Sequence, residues 1–133
     1  AGAGVTRLGL EAEVTEYLPL EVMLPAPGQG ALAVQCRQDD QETLKALAAI
    51  EDEATRQTTQ AERSFLSCLG GGCSAPVAAY ASFHYGEVEL QGLVASVDGQ
   101  RLIRVRHSGD YRWVGIEAAH KALALGAGEL LHA

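Results

Sequence analysis

The 133-residue sequence is short of positive charge: 10 lysines and arginines stand against 17 aspartates and glutamates, a net charge of −7. A nucleic-acid surface needs a basic stripe, and only Arg101, Arg104 and Arg106 come close together. No apolar run approaches the length that crosses a bilayer. The opening residues, AGAGVTRLGL, do not have the pattern of a secretory signal peptide. Cysteine is scarce and odd in number, Cys36, Cys68 and Cys73, which without a secretory signal points to free thiols in a reducing compartment. Cys68 and Cys73 are spaced C-x4-C with no histidine near them, which fits neither the usual structural zinc sites nor the C-x-x-C redox motif. His84, His107, His120 and His132 share no metal-binding spacing, so no metal site is expected. Methionine occurs once, at Met23. The opening reads as the end of a helix with no start before it, so the expectation is a piece of a longer protein. There is no internal repeat and no low-complexity segment.

What is present is an ordinary globular composition, 47% hydrophobic and 20% charged, long enough for one sizeable core or two small ones. Residues 1–10 read as the last turns of a helix that stops at Gly9. APGQGA (26–31) is a Pro/Gly turn whose glycines allow close approach of a backbone. In ALAVQC, Leu32, Val34 and Cys36 alternate as one face of a strand, with Cys36 expected as a buried core thiol. Asp39 and Asp40 are N-cap candidates for a helix striped with Leu44, Leu47, Ala48 and Ile50. A clearer helix spans about 53–69, where Ala54, Thr58, Ala61, Phe65 and Cys68 (or Leu69) share a face. Cys68 then packs, and Gly70 stops the helix.

Beyond Cys73 the period becomes two. APVAAYASF, VELQGLVASV and RLIRVRH read as three strands of an antiparallel meander, with Asp98-Gly99 as a tight hairpin. Arg101, Arg104 and Arg106 alternate with apolar residues as an exposed strand face. From about 114 to 125 helical spacing returns through Ile116, Ala119, Ala122 and Leu123, and Gly126 and Gly128 break it. The fold class is therefore α+β: a small three-stranded antiparallel sheet packed with helices over 53–133, preceded by residues that look like incomplete parts of something else.

The stretch LGGGCSAPV (69–77) places Cys73 where no periodic pattern buries it, just past a helix end. Glycines bring a bulky group against the backbone and its amides. A helix C-terminus disfavours thiolate, and no neighbouring histidine serves as base. Spacing alone leaves three uses open: a helix stop with an incidental cysteine, a thiol that adds once to a carbon electrophile and holds it as a thioether, or a metal or redox role.

Three segments narrow this. LPAPGQGALAVQCR, AERSFLSCLGGGCSAPVAAYA and VGIEAAHKALALGAGELL resemble, in order and spacing, the C-terminal part of the porphobilinogen deaminase family over essentially the whole chain. The G-G-C-S-x-P-V segment preceded by A-E-R is the specific element; the GQGA turn alone is weak. The resemblance implies that Cys73 carries a dipyrromethane cofactor through a thioether, with Gly71 and Gly72 as clearance for it. It implies a cytoplasmic transferase of tetrapyrrole (haem) biosynthesis. That enzyme joins four porphobilinogen molecules head to tail on the cofactor, with loss of ammonia, and releases the linear tetrapyrrole hydroxymethylbilane. Arg63 matches an arginine near the cofactor, set to pair with a cofactor carboxylate, and Gln29 matches a hinge residue facing the cleft.

By the same resemblance, residues 1–28 are the end of domain two and the hinge, 29–52 a strand and helix of domain one, and 53–133 the cofactor-attachment domain. The family's catalytic aspartate, and most of the basic residues that hold acetate and propionate groups, lie in regions this sequence lacks, so no catalytic residue is assigned here. A substrate rich in carboxylates needs a cationic site, and turnover by this piece alone is not expected. Gly70 stands where the family often has glutamate. The partners implied are porphobilinogen and the growing polypyrrole, with no nucleic acid and no membrane. The parent is expected to be a monomer, whereas this piece, with Leu32 and Val34 bare along a strand edge, is expected to self-associate or stay partly disordered. The rival reading is a non-catalytic α+β binding module with an incidental loop cysteine.

Overall fold

The computed structural model describes residues 2–70 and 75–131. Helix α1 (Gly2–Leu8) closes as expected at Gly9, where the Gly9 and Leu10 amides return to the Thr6 and Val5 carbonyls. Helix α2 (Gln41–Ala48) is capped by Asp40, whose carboxylate accepts the Thr43 N–H. The strand expected over residues 31–36 does not form. That stretch has no ladder partner among the described residues, and alternation alone cannot supply one. Leu32 is 100% exposed and Val34 64%. Cys36 is half-buried and lies outside the core, so the expectation of a buried core thiol is corrected.

The packed unit begins at α3 (Glu53–Cys68), capped by Asp52 through the Thr55 N–H. It continues through β1 (Val77–His84), β2 (Glu87–Ala95), β3 (Leu102–Gly109), α4 (Val114–Ala124) and α5 (Ala127–Leu131). The strands form one antiparallel sheet in the order β1-β2-β3, with Ala79 opposite Gly92 and Gly92 opposite Val105. This is the α+β architecture expected from the sequence. The two-residue turn falls at Tyr85 and Gly86, both with positive φ, as the I′ turn requires. The Asp98-Gly99 signal instead marks a wider loop. There the Asp98 carboxylate accepts the Ser96 hydroxyl and the Gln100 N–H, holding open the turn between Ser96 and Arg101.

Alternate residues of β1 and β2 (Val77, Ala79, Ala81; Val88, Leu90, Val94) turn towards α3, α4 and α5, and Phe65 fills the centre. Two glycines set the helix positions. A Cβ on Gly92 would overlap the Phe65 ring, and one on Gly115 would overlap the Ala61 carbonyl, so α4 lies backbone to backbone against α3. That approach changes the buried face of α4. Gly115, Ala118, Ala119 and Ala122 are inside, while the larger Ile116 and Leu123 sit at the rim. Likewise Ala54 is exposed, and α3 buries Ala61, Glu62 and Phe65.

Candidate functional site

The open edge of β1 organises the site. An unpaired strand edge presents bare N–H groups, and here two of them are taken. The Ala79 N–H donates to the Pro25 carbonyl at 3.0 Å. The Ala81 N–H donates to Glu62 Oε1 at 2.8 Å. The second oxygen of the same carboxylate, Oε2, accepts the Gly28 N–H at 2.7 Å. Prolines at 25 and 27 cannot donate to a ladder, yet the Pro25 carbonyl still accepts, and Leu24 beside it is buried. Pro27 and Gly28 then turn the chain, with the Gln29 N–H on the Ala26 carbonyl and Gly28 at φ 75°. That is the type II pattern, which favours proline and then glycine.

Glu62 is 6% exposed. Burial pushes its carboxyl above the usual glutamate range, and the two N–H donors pull only partly the other way. Sequence reasoning missed this residue, because a glutamate between Ala61 and Arg63 on a helix reads as a solvated charge. The A-E-R signature was the only signal for it.

On the next position, Arg63 is exposed. A Cβ on Gly28 would lie 3.9 Å from Arg63 Cγ, so the turn passes beside the arginine stem. Gln29, one residue on, is exposed at the same corner. The structure thus brings the GQG turn and Arg63 together. Along α3, Arg56, Gln60, Arg63, Ser64 and Ser67 line a groove of about 690 Å³ with Ile116 on its far wall and Cys68 at one end. Arg56 is engaged by Glu53 and Glu51. Arg63 makes no ion pair among the described residues. Cys68 packs against the core from this side, as expected. The groove runs towards Gly70, the helix stop. Gly71, Gly72 and Cys73 lie outside the described residues.

Elsewhere, Arg106 is paired with Glu89 and Arg101 with Glu129, and Arg104 is exposed on the sheet. Among the described residues no cluster of His, Cys, Asp and Glu is placed to hold a metal ion, and no helix is long and apolar enough to cross a membrane.

Fold and groove together define a small α+β domain with a groove along α3, where the exposed Arg63 has no ion-pair partner among the described residues. Residues 56–124 match the family model for the porphobilinogen deaminase C-terminal domain. Residues 1–45 match the model described as the porphobilinogen deaminase dipyromethane cofactor binding domain. The chain belongs to the porphobilinogen deaminase family. It is 46% identical to porphobilinogen deaminase of Brevibacillus brevis, over 98% of this chain and 43% of that protein. It is 42% identical to that of Prochlorococcus marinus strain MIT 9515, over 98% and 42%, and 44% identical to that of Desulforudis audaxviator, over 98% and 43%. The chain thus spans less than half the length of these relatives.

Proposed function

We propose that this chain is the cofactor-bearing portion of a porphobilinogen deaminase, a transferase that condenses four porphobilinogen molecules into hydroxymethylbilane for haem biosynthesis. The observation that carries the reading is the match of both family models along the chain, joined to the A-E-R and G-G-C-S segments. In this reading Cys73 holds dipyrromethane as a thioether, and Gly71 and Gly72 leave room for it. When bound, the cofactor supplies the chain end onto which porphobilinogen units are joined.

The residues present fit such a group. Its carboxylates need cations and hydrogen-bond donors, and the groove offers Arg63, which has no ion-pair partner among the described residues, beside the Gln60, Ser64 and Ser67 side chains. Arg63 holds a carboxylate, and Gln29 closes the corner at the hinge. Residues 1–28 form the end of domain two and the hinge, 29–52 belong to domain one, and 53–133 carry the cofactor. No catalytic residue is assigned in this chain. Cytoplasmic action suits its free thiols at Cys36 and Cys68. A net charge of −7 gives nucleic acid no basic surface. The complete enzyme acts as a monomer without a membrane partner.

A chimera tests the reading. This chain replaces the corresponding part of the Brevibacillus brevis relative, and hydroxymethylbilane formation from porphobilinogen is followed. The chimera is expected to turn over, and the 133-residue chain alone is not. A folded chimera that makes no hydroxymethylbilane, where the intact relative does, would count against it.

A further inference from the structure

We propose that Glu62 is a positioning residue whose buried carboxylate clips the turn at residues 25–28 onto the open edge of β1, and so fixes Gln29 beside Arg63. The two bonds from Glu62 reach residues 34 and 19 positions away in sequence. One side chain on α3 thereby ties together the meander and the segment that precedes it. The Pro25 carbonyl is the second fastening, on Ala79, two residues along the same edge. No other side chain among the described residues bonds to the 25–28 turn. Because Glu62 and Arg63 are consecutive, the clip and the groove's Arg63 guanidinium are set by the same turn of α3.

Both oxygens of the carboxylate are used as acceptors. In Glu62→Gln one oxygen becomes an NH2 group, which would face an N–H donor, so one of the two bonds must break while shape and volume are kept. A buried amide left without a partner is penalised strongly enough to open locally. What this does to ligand binding rests on the reading of Arg63 and Gln29 given above; the clip itself does not.

Amide hydrogen exchange on the 133-residue chain reads the clip directly. In Glu62→Gln, protection of the Gly28 or the Ala81 amide should fall about tenfold or more, while the Leu90 and Val94 amides keep theirs. A uniform fall, or none at Gly28 and Ala81, overturns the clip. Should the variant fail to fold, couplings across the hydrogen bonds from Gly28 N and Ala81 N to the Glu62 carboxyl in the unmutated chain decide the same point. In the chimera described above, Glu62→Gln should raise the porphobilinogen KM about fivefold with kcat nearly unchanged, the pattern of lost binding rather than lost chemistry. A smaller yield of folded enzyme with unchanged KM would make Glu62 merely structural and overturn the positioning role. A chimera with native Glu62 that never acquires the cofactor would refute the proposed function instead, and leave the exchange result standing.

Discussion

At the scale of single residues, the carboxyl of Glu62 has the clearest chemical signature. Burial raises its pKa from the ordinary 4.5, against the pull of the Gly28 and Ala81 amides. The folded state therefore keeps the proton to a higher pH than the unfolded chain. The contribution of this group to stability is fully present below the unfolded value and is lost as pH rises through the folded one. Relative to Glu62→Gln, the unmutated chain should lose stability as pH rises above about 4.5. Urea midpoints of the two proteins across pH 4 to 7 measure this. Parallel curves would mean that the carboxyl is not shifted. Beyond the A-E-R signature nothing around Glu62 in the sequence announces this role, because its partners are distant in sequence and both are backbone groups. Arg63 and Gln29 were legible only through the resemblance; their approach to one corner depends on the clip.

Among the elements, contact between α3 and α4 rests on the absence of one side chain. Gly115→Ala places a Cβ against the Ala61 carbonyl and the Phe65 amide, which are backbone atoms of a helix and cannot step aside. Overpacking of this kind should destabilise the chain by about 1–3 kcal/mol. Gly109→Ala, with open space around it, should stay within about 0.5 kcal/mol. Equal effects in urea titrations would contradict the close crossing. The same crossing explains where the pattern of α4 misled: where two backbones approach this closely, only glycine and alanine fit between them, so Ile116 and Leu123 sit at the rim while Val114 is buried at the start of the helix. The helix caps at Asp40 and Asp52 are supported by local chemistry. The antiparallel meander was legible because its period is a property of the strands themselves. The strand expected at 31–36 does not form here, because a strand also requires a neighbour.

Over the whole molecule, the two parts of the chain are unequal. The unit from α3 onwards buries a continuous core, and the preceding segment is anchored to it at residues 25–28, next to the buried Leu24. Before that anchor Leu8, Tyr17, Leu18, Val22 and Met23 are exposed, and Leu32 and Val34 follow it. Apolar surface on this scale seeks cover. The 133-residue chain should therefore self-associate, with a concentration-dependent sedimentation coefficient, and the chimera should sediment as a monomer. A monomeric chain with residues 10–37 well protected from exchange would contradict this.

The central claim concerns Cys73. Intact-mass measurement on the chimera, made in cells that supply porphobilinogen, should show one dipyrromethane on each chain, located at Cys73 by peptide mapping and absent in Cys73→Ser. A fully active chimera with an unmodified Cys73 would contradict the account.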